Sequence, residues 1–273
     1  MMKSLYYAFL VLGIILSFYV SVSYGKMYGT YIDKGELLIY PFFEYSYDHN
    51  EEYQPEEFGF ASKQEYFGKY WSNSLELFVA YGFSDRITLE LEAAYLNARF
   101  AKASIDNFIP WTRINESGIA DIEGQIRARL MHENKRFPEI YGYVELTAPV
   151  QKSKKLIGNA NWDIKPGVGI IKGFSWGTLG FKTDLEYNRE SKGVDIGETA
   201  IEYLRKLSDL WRLYIAIEGG EGGAPDEWIF VSGLQWHFSK YLIIKLDNQL
   251  GITPKATDWS PQLGIMFDIP AIK

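Results

Sequence analysis

Residues 72–97 read SNSLELFVAYG, FSD, RITLELEAAYLN in three consecutive pieces. In the first piece Leu75, Leu77, Val79 and Tyr81 alternate with Ser74, Glu76, Phe78 and Ala80. In the third, Ile87, Leu89, Leu91, Ala93 and Tyr95 alternate with Thr88, Glu90, Glu92 and Ala94. A period of two belongs to a strand, not to a helix, and each strand has one apolar face and one face bearing carboxylates. Phe83-Ser84-Asp85 between them is a short turn with turn-forming residues. Soluble strands average about 5–6 residues, whereas tilted strands of about 9–11 cross a bilayer, so the length of these two points to a membrane.

The same alternation runs on through the chain. It predicts twelve strands: 36–47, 72–82, 86–97, 119–131, 139–149, 160–171, 177–188, 197–207, 211–219, 227–238, 241–252 and 260–269. The connections alternate as well. Those at 48–71 and 98–118 are long, and those at 83–85, 208–210 and 239–240 are short. Barrels of the outer membrane have long outside loops, short periplasmic turns and an even strand number. With the more apolar parity of each strand taken as outward, Arg205 is its only charged residue, and the inward parity is rich in charge. A soluble sandwich also alternates, burying the apolar face and wetting the polar one. Tryptophan separates the two readings. Trp162, Trp228 and Trp259 fall near the long-loop ends of strands, and Trp176, Trp211 and Trp236 near the short-turn ends. Trp71 and Trp111 fall in the long connections. Indole rings favour the headgroup level on both sides of a bilayer, so these six form two aromatic girdles.

The fold class expected is therefore all-β, a transmembrane antiparallel β-barrel of about twelve strands in residues 26–273. Residues 1–25 read as a signal peptide: Lys3, the uncharged stretch Leu5 to Val20, then small residues at Ser23 and Gly25. Among 273 residues there is no Cys and there are only three His, which excludes disulfides and thiolate chemistry and leaves no metal site expected. The net charge of −7 argues against nucleic acid as a partner. The partners expected are outer-membrane lipid and a small-molecule solute, with no cofactor.

The chain also resembles the outer-membrane proteins of the phenol-degradation meta-pathway family, a group of proposed transporters. The likeness is carried by Tyr81-Gly82-Phe83-Ser84-Asp85-Arg86, by Ala120-Asp121-Ile122-Glu123-Gly124-Gln125-Ile126-Arg127, and by Val144-Glu145-Leu146-Thr147-Ala148-Pro149. It continues in Asn161-Trp162-Asp163, Pro166-Gly167-Val168-Gly169 and Gly264-Ile265-Met266-Phe267. The resemblance implies uptake of small, often aromatic or hydrophobic, compounds across a Gram-negative outer membrane.

The inward parity supplies the lumen-lining candidates: Glu76, Glu90, Glu92, Glu123, Glu145, Asp184, Glu186, Glu202 and Asp247 on the acidic side, Arg127, Arg129, Lys165, Lys182, Arg212 and Lys245 on the basic side. Either they pair into a network that fills the interior, or they line a conducting path in which excess acid favours cations or neutral solutes. The first long connection carries Asp48, Glu51, Glu52, Glu56 and Glu57, a solvated acidic stretch, together with aromatics. Of these, Tyr53, Phe58, Phe60, Tyr66 and Phe67 are candidates for a constriction folded over the mouth. Two other functions compete with passage of solutes: a plugged barrel working through its surface, and, remotely, a lipid-modifying enzyme. The latter would rest on His237 and Ser239, a spacing any His-x-Ser provides, with no third group to orient the base. No enzyme activity is expected.

Overall fold

The computed structural model describes residues 32–158, 161–188, 192–219 and 227–271. The signal-peptide stretch, 1–25, lies outside the described residues. The strand segments are β1 Leu37–Tyr53, β2 Tyr66–Gly82, β3 Ile87–Ala101, β4 Arg113–Ile119, β5 Ile122–Met131, β6 Glu139–Ala148 and β7 Asp163–Phe174. They continue as β8 Gly177–Asn188, β9 Gly193–Lys206, β10 Trp211–Gly219, β11 Trp228–His237, β12 Leu242–Gly251 and β13 Trp259–Ile269. Pairing is antiparallel throughout, and β1 pairs with both β2 and β13, so the sheet closes on itself. β4 and β5 lie along the same partner: Tyr95 of β3 faces Ile119, and Glu92 faces Glu123. They are two lengths of one stave, offset at Ala120-Asp121, and the barrel has twelve staves. No helix among the described residues is long and apolar enough to cross a membrane; this chain crosses with strands.

The offset has a consequence for side-chain direction. Sequence parity places Ile119 inward with Glu123. In the structure Ile119 is exposed on the outside, because the extra residue at Ala120-Asp121 flips the alternation. The stave is still held there, since the Ala120 N–H donates to the Ala94 carbonyl at 2.8 Å.

The exposed face decides between barrel and sandwich. Leu75, Leu77, Leu91, Ile126, Val144, Ile164, Val168, Ile201, Leu246 and Leu263 are all exposed on the outside. A soluble monomer rarely shows contiguous apolar patches beyond a few hundred Å². An apolar band that circles the whole barrel is at home only in hydrocarbon. The aromatic rings bracket it as expected. Trp211 and Trp236 stack at 5.8 Å, and Trp176 stacks on Phe174 at 4.7 Å, at the short-turn end. Trp259 meets Tyr45 at the other end. Trp71 is not in a loop: it lies on β2 and packs beside Tyr47, 5.9 Å between centroids, adding to the same belt.

The first hairpin is taller than the alternation in 36–47 and 72–82 suggests. β1 runs on to Tyr53 and β2 starts at Tyr66, which leaves only residues 54–65 as connection, with a 3-10 turn at Pro55–Phe58. The short turns share one device. The hydroxyls of Ser84, Ser208 and Ser239 each accept backbone N–H groups two and three residues on, at 3.1–3.2 Å.

Inside, β7 carries Gly167 and Gly169 opposite Tyr143 and Tyr141 of β6. A Cβ at either glycine would lie about 2.1–2.2 Å from the facing ring, so the rings lie down on bare backbone. Gly169→Val removes that bed. Overpacking of this kind costs about 1–3 kcal/mol, and the urea midpoint of the folded barrel should fall accordingly, while Val168→Ile, on the lipid face of the same strand, leaves it near wild type.

Candidate functional site

The barrel interior falls into three zones. At the inner end, Tyr40, Phe42, Phe78, Ala80 and Met266 of β1, β2 and β13 form a buried cluster with Ile32, which precedes the first strand. Tyr40 and Phe42 stack at 4.8 Å between centroids.

Next to it lies a sealed layer of paired charge. Arg127 Nη2 reaches Glu90 Oε2 at 3.3 Å, Gln125 donates to the same oxygen at 2.7 Å, and the Arg127 guanidinium sits 4.7 Å over the Tyr141 ring. Lys245 pairs with Asp247 at 3.3 Å and stands 4.8 Å over Tyr40. Lys182 pairs with Glu198 at 2.6 Å, and Glu202 is within electrostatic reach of Lys182, Arg127 and Lys245. The Tyr143 hydroxyl donates to Asp184 at 3.2 Å, and that of Tyr214 to Glu218 at 3.2 Å. The Lys245 and Asp247 side chains are 4% and 5% exposed, too little to leave a water path between them. Unpaired charge in such a place costs several kcal/mol, so the pairing is required by burial.

The third zone is an acidic wall. Glu92 and Glu123 are register partners across β3 and β5. Glu76 and Glu92 are diagonal neighbours across β2 and β3, and Glu44, Glu123 and Glu145 complete the group. Ser46 and Gln262 hold Glu44, and Ser74 holds Glu76. Glu123 is exposed although it points inward, which makes this wall water-accessible.

Of the remaining lumen candidates, Lys165 faces Glu145 of the acidic wall across β6 and β7. Arg129 pairs with Glu139 at 3.0 Å at the inner rim, where Arg212 is also placed. Lys165 lies 3.9 Å from Asp163, and Glu186 faces Asp195 across β8 and β9. All fifteen candidates occupy the inward parity. The same parity also places Glu44 and Glu198 inward, although the candidate set left them out; it does not show Tyr40, Tyr141, Tyr143 and Tyr214 as partners of these groups. The signal for the tyrosines was present as inward rings opposite glycines.

Over the outer mouth, Tyr53, Tyr66, Phe100 and Ile109 form a buried cluster, with Phe58, Phe60, Tyr70 and Trp111 packed against it. Tyr53 donates to Asp106 at 2.9 Å and meets Phe100 edge-on at 4.9 Å. Four of the five constriction candidates thus belong to this cap. Phe67 does not: it is 58% exposed on the outer face of β2, because the strand starts at Tyr66 and the next residue must point the other way. The acidic stretch is likewise drawn into the rim. Glu52 pairs with Lys255 and Glu56 with Lys63, each at 3.3 Å. Asp48, His49 and Asp258 bring their ligand atoms within 4.8 Å of one another, and a hydrogen bond between His49 and Asp258 ties β1 to the connection before β13. Ser239 spends its hydroxyl on the turn at Tyr241 and Leu242.

No protein-family model and no curated protein sequence matches the chain. Among solved structures it is similar to an outer membrane channel from Pseudomonas putida F1, with a TM-score of 0.58 and 14% identity over 87% of this chain and 97% of that one. It is also similar to the translocator domain of the autotransporter NalP from Neisseria meningitidis, with a TM-score of 0.47 and 12% identity over 86% and 89%. The first likeness carries the fold; the second is too distant to carry an argument. By closure, outward face and this likeness, the chain is an outer-membrane type β-barrel.

Breaking one partner of the sealed layer should be costly. Arg127→Met leaves Glu90 buried without its cation and is expected to lower stability by about 3–5 kcal/mol in urea unfolding; adding Glu90→Gln in the same chain should restore a large part of the loss.

Proposed function

We propose that the protein is an outer-membrane channel for small neutral or cationic solutes, small aromatic compounds among them, and that it belongs with the phenol-degradation meta-pathway transporters it resembles. The observation that carries this reading is the water-accessible acidic wall of Glu44, Glu76, Glu92, Glu123 and Glu145 inside a closed barrel. A ring or wall of carboxylates draws cations and repels anions. On this reading the aromatic cluster at the outer end and the paired layer at the inner end are the barriers that yield when the barrel conducts, and the barrel works by passage of solute and not by catalysis.

One observation favours a second reading, a plugged barrel that acts through its surface: the paired layer spans β3, β5, β6, β8, β9, β10 and β12, and its Arg127–Glu90 and Lys245–Asp247 pairs are almost wholly buried.

Conductance separates the two. The folded chain in a planar bilayer should give discrete openings with reversal potentials on the cation side. Glu92→Gln with Glu123→Gln and Glu145→Gln should move the reversal potential toward zero. Phe58→Ala with Trp111→Ala, loosening the cap, should raise open probability. Clear anion preference, or silence from a folded barrel even with the cap loosened, sinks the channel reading.

A further inference from the structure

The outer rim of the barrel is uneven. On β1 and β13 it presents Tyr45, Tyr47 and Trp259, and the ionisable groups above them are already engaged, Glu52 by Lys255 and His49 by Asp258. On β2, β3 and β4 it is built differently. Register pairing stacks the outward residues of these three strands in rows. Leu75, Tyr95 and Ile119 form the top of the apolar band, all exposed. Asn73, Asn97 and Ser117 come next, then Trp71, Arg99 and Asn115, then Lys69, Ala101 and Arg113. Rows on one face are about 6.6–6.8 Å apart along a strand.

Lys69, Arg99 and Arg113 are therefore neighbours on one face, all three exposed, and no Asp or Glu occupies an outward place in these rows. A cleft of about 570 Å³ opens among Trp71, Asn73, Asn97, Arg99, Arg113 and Asn115. Beside β4, the Lys154 ammonium donates to the Ser117 carbonyl at 2.9 Å, and Lys152 and Lys155 are exposed on the same connection. On a protein of net charge −7, this is a concentration of positive charge at one spot.

We propose that this face is a docking site for a phosphorylated glycolipid of the outer leaflet. The order of the rows matches such a molecule from chain to headgroup. Acyl chains lie against Leu75, Tyr95 and Ile119. The amides of Asn73, Asn97 and Asn115 and the Trp71 ring meet the sugar. Arg99, Arg113 and Lys69 take the phosphate, arginine through its planar fork of donors. The proposal rests on the outer-membrane reading and not on conduction, since it concerns the outside of the wall.

The test uses the full chain folded in zwitterionic detergent, titrated with an acylated diglucosamine bisphosphate lipid and with the same lipid stripped of phosphate, and read by native mass spectrometry. The phosphorylated lipid should be retained in preference to the stripped one. R99Q/R113Q should weaken its binding about thirtyfold, since each basic group near an anionic lipid surface is worth roughly a factor of five. R205Q, at the short-turn end of the outer face, should leave binding unchanged. Heat-modifiable migration checks that each variant is folded, and both arginines are exposed, so folding does not depend on them. Equal retention of the two lipids, equal loss in R205Q, or no loss in R99Q/R113Q overturns the proposal. Inorganic phosphate that competes at the concentration of the lipid itself overturns it too, as it would mean a site for the free anion. Bilayer silence in the conductance measurement leaves this outcome untouched, so the two failures are distinguishable.

Discussion

A backbone surrounded by hydrocarbon has no water with which to satisfy its N–H and C=O groups, and this single constraint organises the molecule. A sheet meets it only by closing, and β1 closes the barrel by pairing with β2 on one side and β13 on the other. Once closed, the two faces of every strand meet opposite environments. The apolar parity turns outward to lipid, and the polar parity has nowhere to go but the lumen. The inward charges follow from the alternation that makes the strand.

Confinement then dictates what those charges do. In a twelve-stave barrel the interior is narrow, and a charged side chain there is either paired or wet. The structure uses both solutions, in separate places. Arg127 with Glu90 and Lys245 with Asp247 are paired and nearly dry, and Lys182 with Glu198 is paired while still partly exposed. Glu76, Glu92, Glu123 and Glu145 stand together and reach water. Tyrosines seated on glycine backbone make the paired layer dense, and aromatic rings packed around the Tyr53–Asp106 hydrogen bond do the same at the outer end. The contrast between a sealed layer and a wet acidic wall is what gives the lumen a functional direction.

Particular residues show how far local pattern reaches. Inward placement of Glu90 and Arg127 was legible from alternation alone, but their pairing was not, because thirty-seven positions of chain separate them and only the register of β3 with β5 brings them together. Tyr53, Phe58, Phe60 and Tyr66 could be read as a cover for the mouth from their aromatic character near a long connection. Phe67 could not be told apart from them until β2 was seen to begin one residue earlier. The cationic outer face stayed hidden for a similar reason: Arg99 and Arg113 lie in a stretch, 98–118, whose alternation is too irregular to show that β3 extends upward and β4 joins it.

By itself the sequence determined much of what depends on a two-residue period: the twelve staves through the middle of the barrel, which of their faces is apolar there, most of the rings that bracket the band, and which connections are short. These are local properties, set by neighbours along the chain. Tertiary structure alone decided what depends on register and on the interruptions of that period. The offset at Ala120-Asp121 turned Ile119 outward, the tall first hairpin raised Trp71 into the belt and Lys69 beside Arg113, and register chose which carboxylates meet a cation, as Glu145 meets Lys165, and which face another carboxylate, as Glu92 faces Glu123. Hydrogen bonds between strands fix those matters, and their partners are distant in the chain.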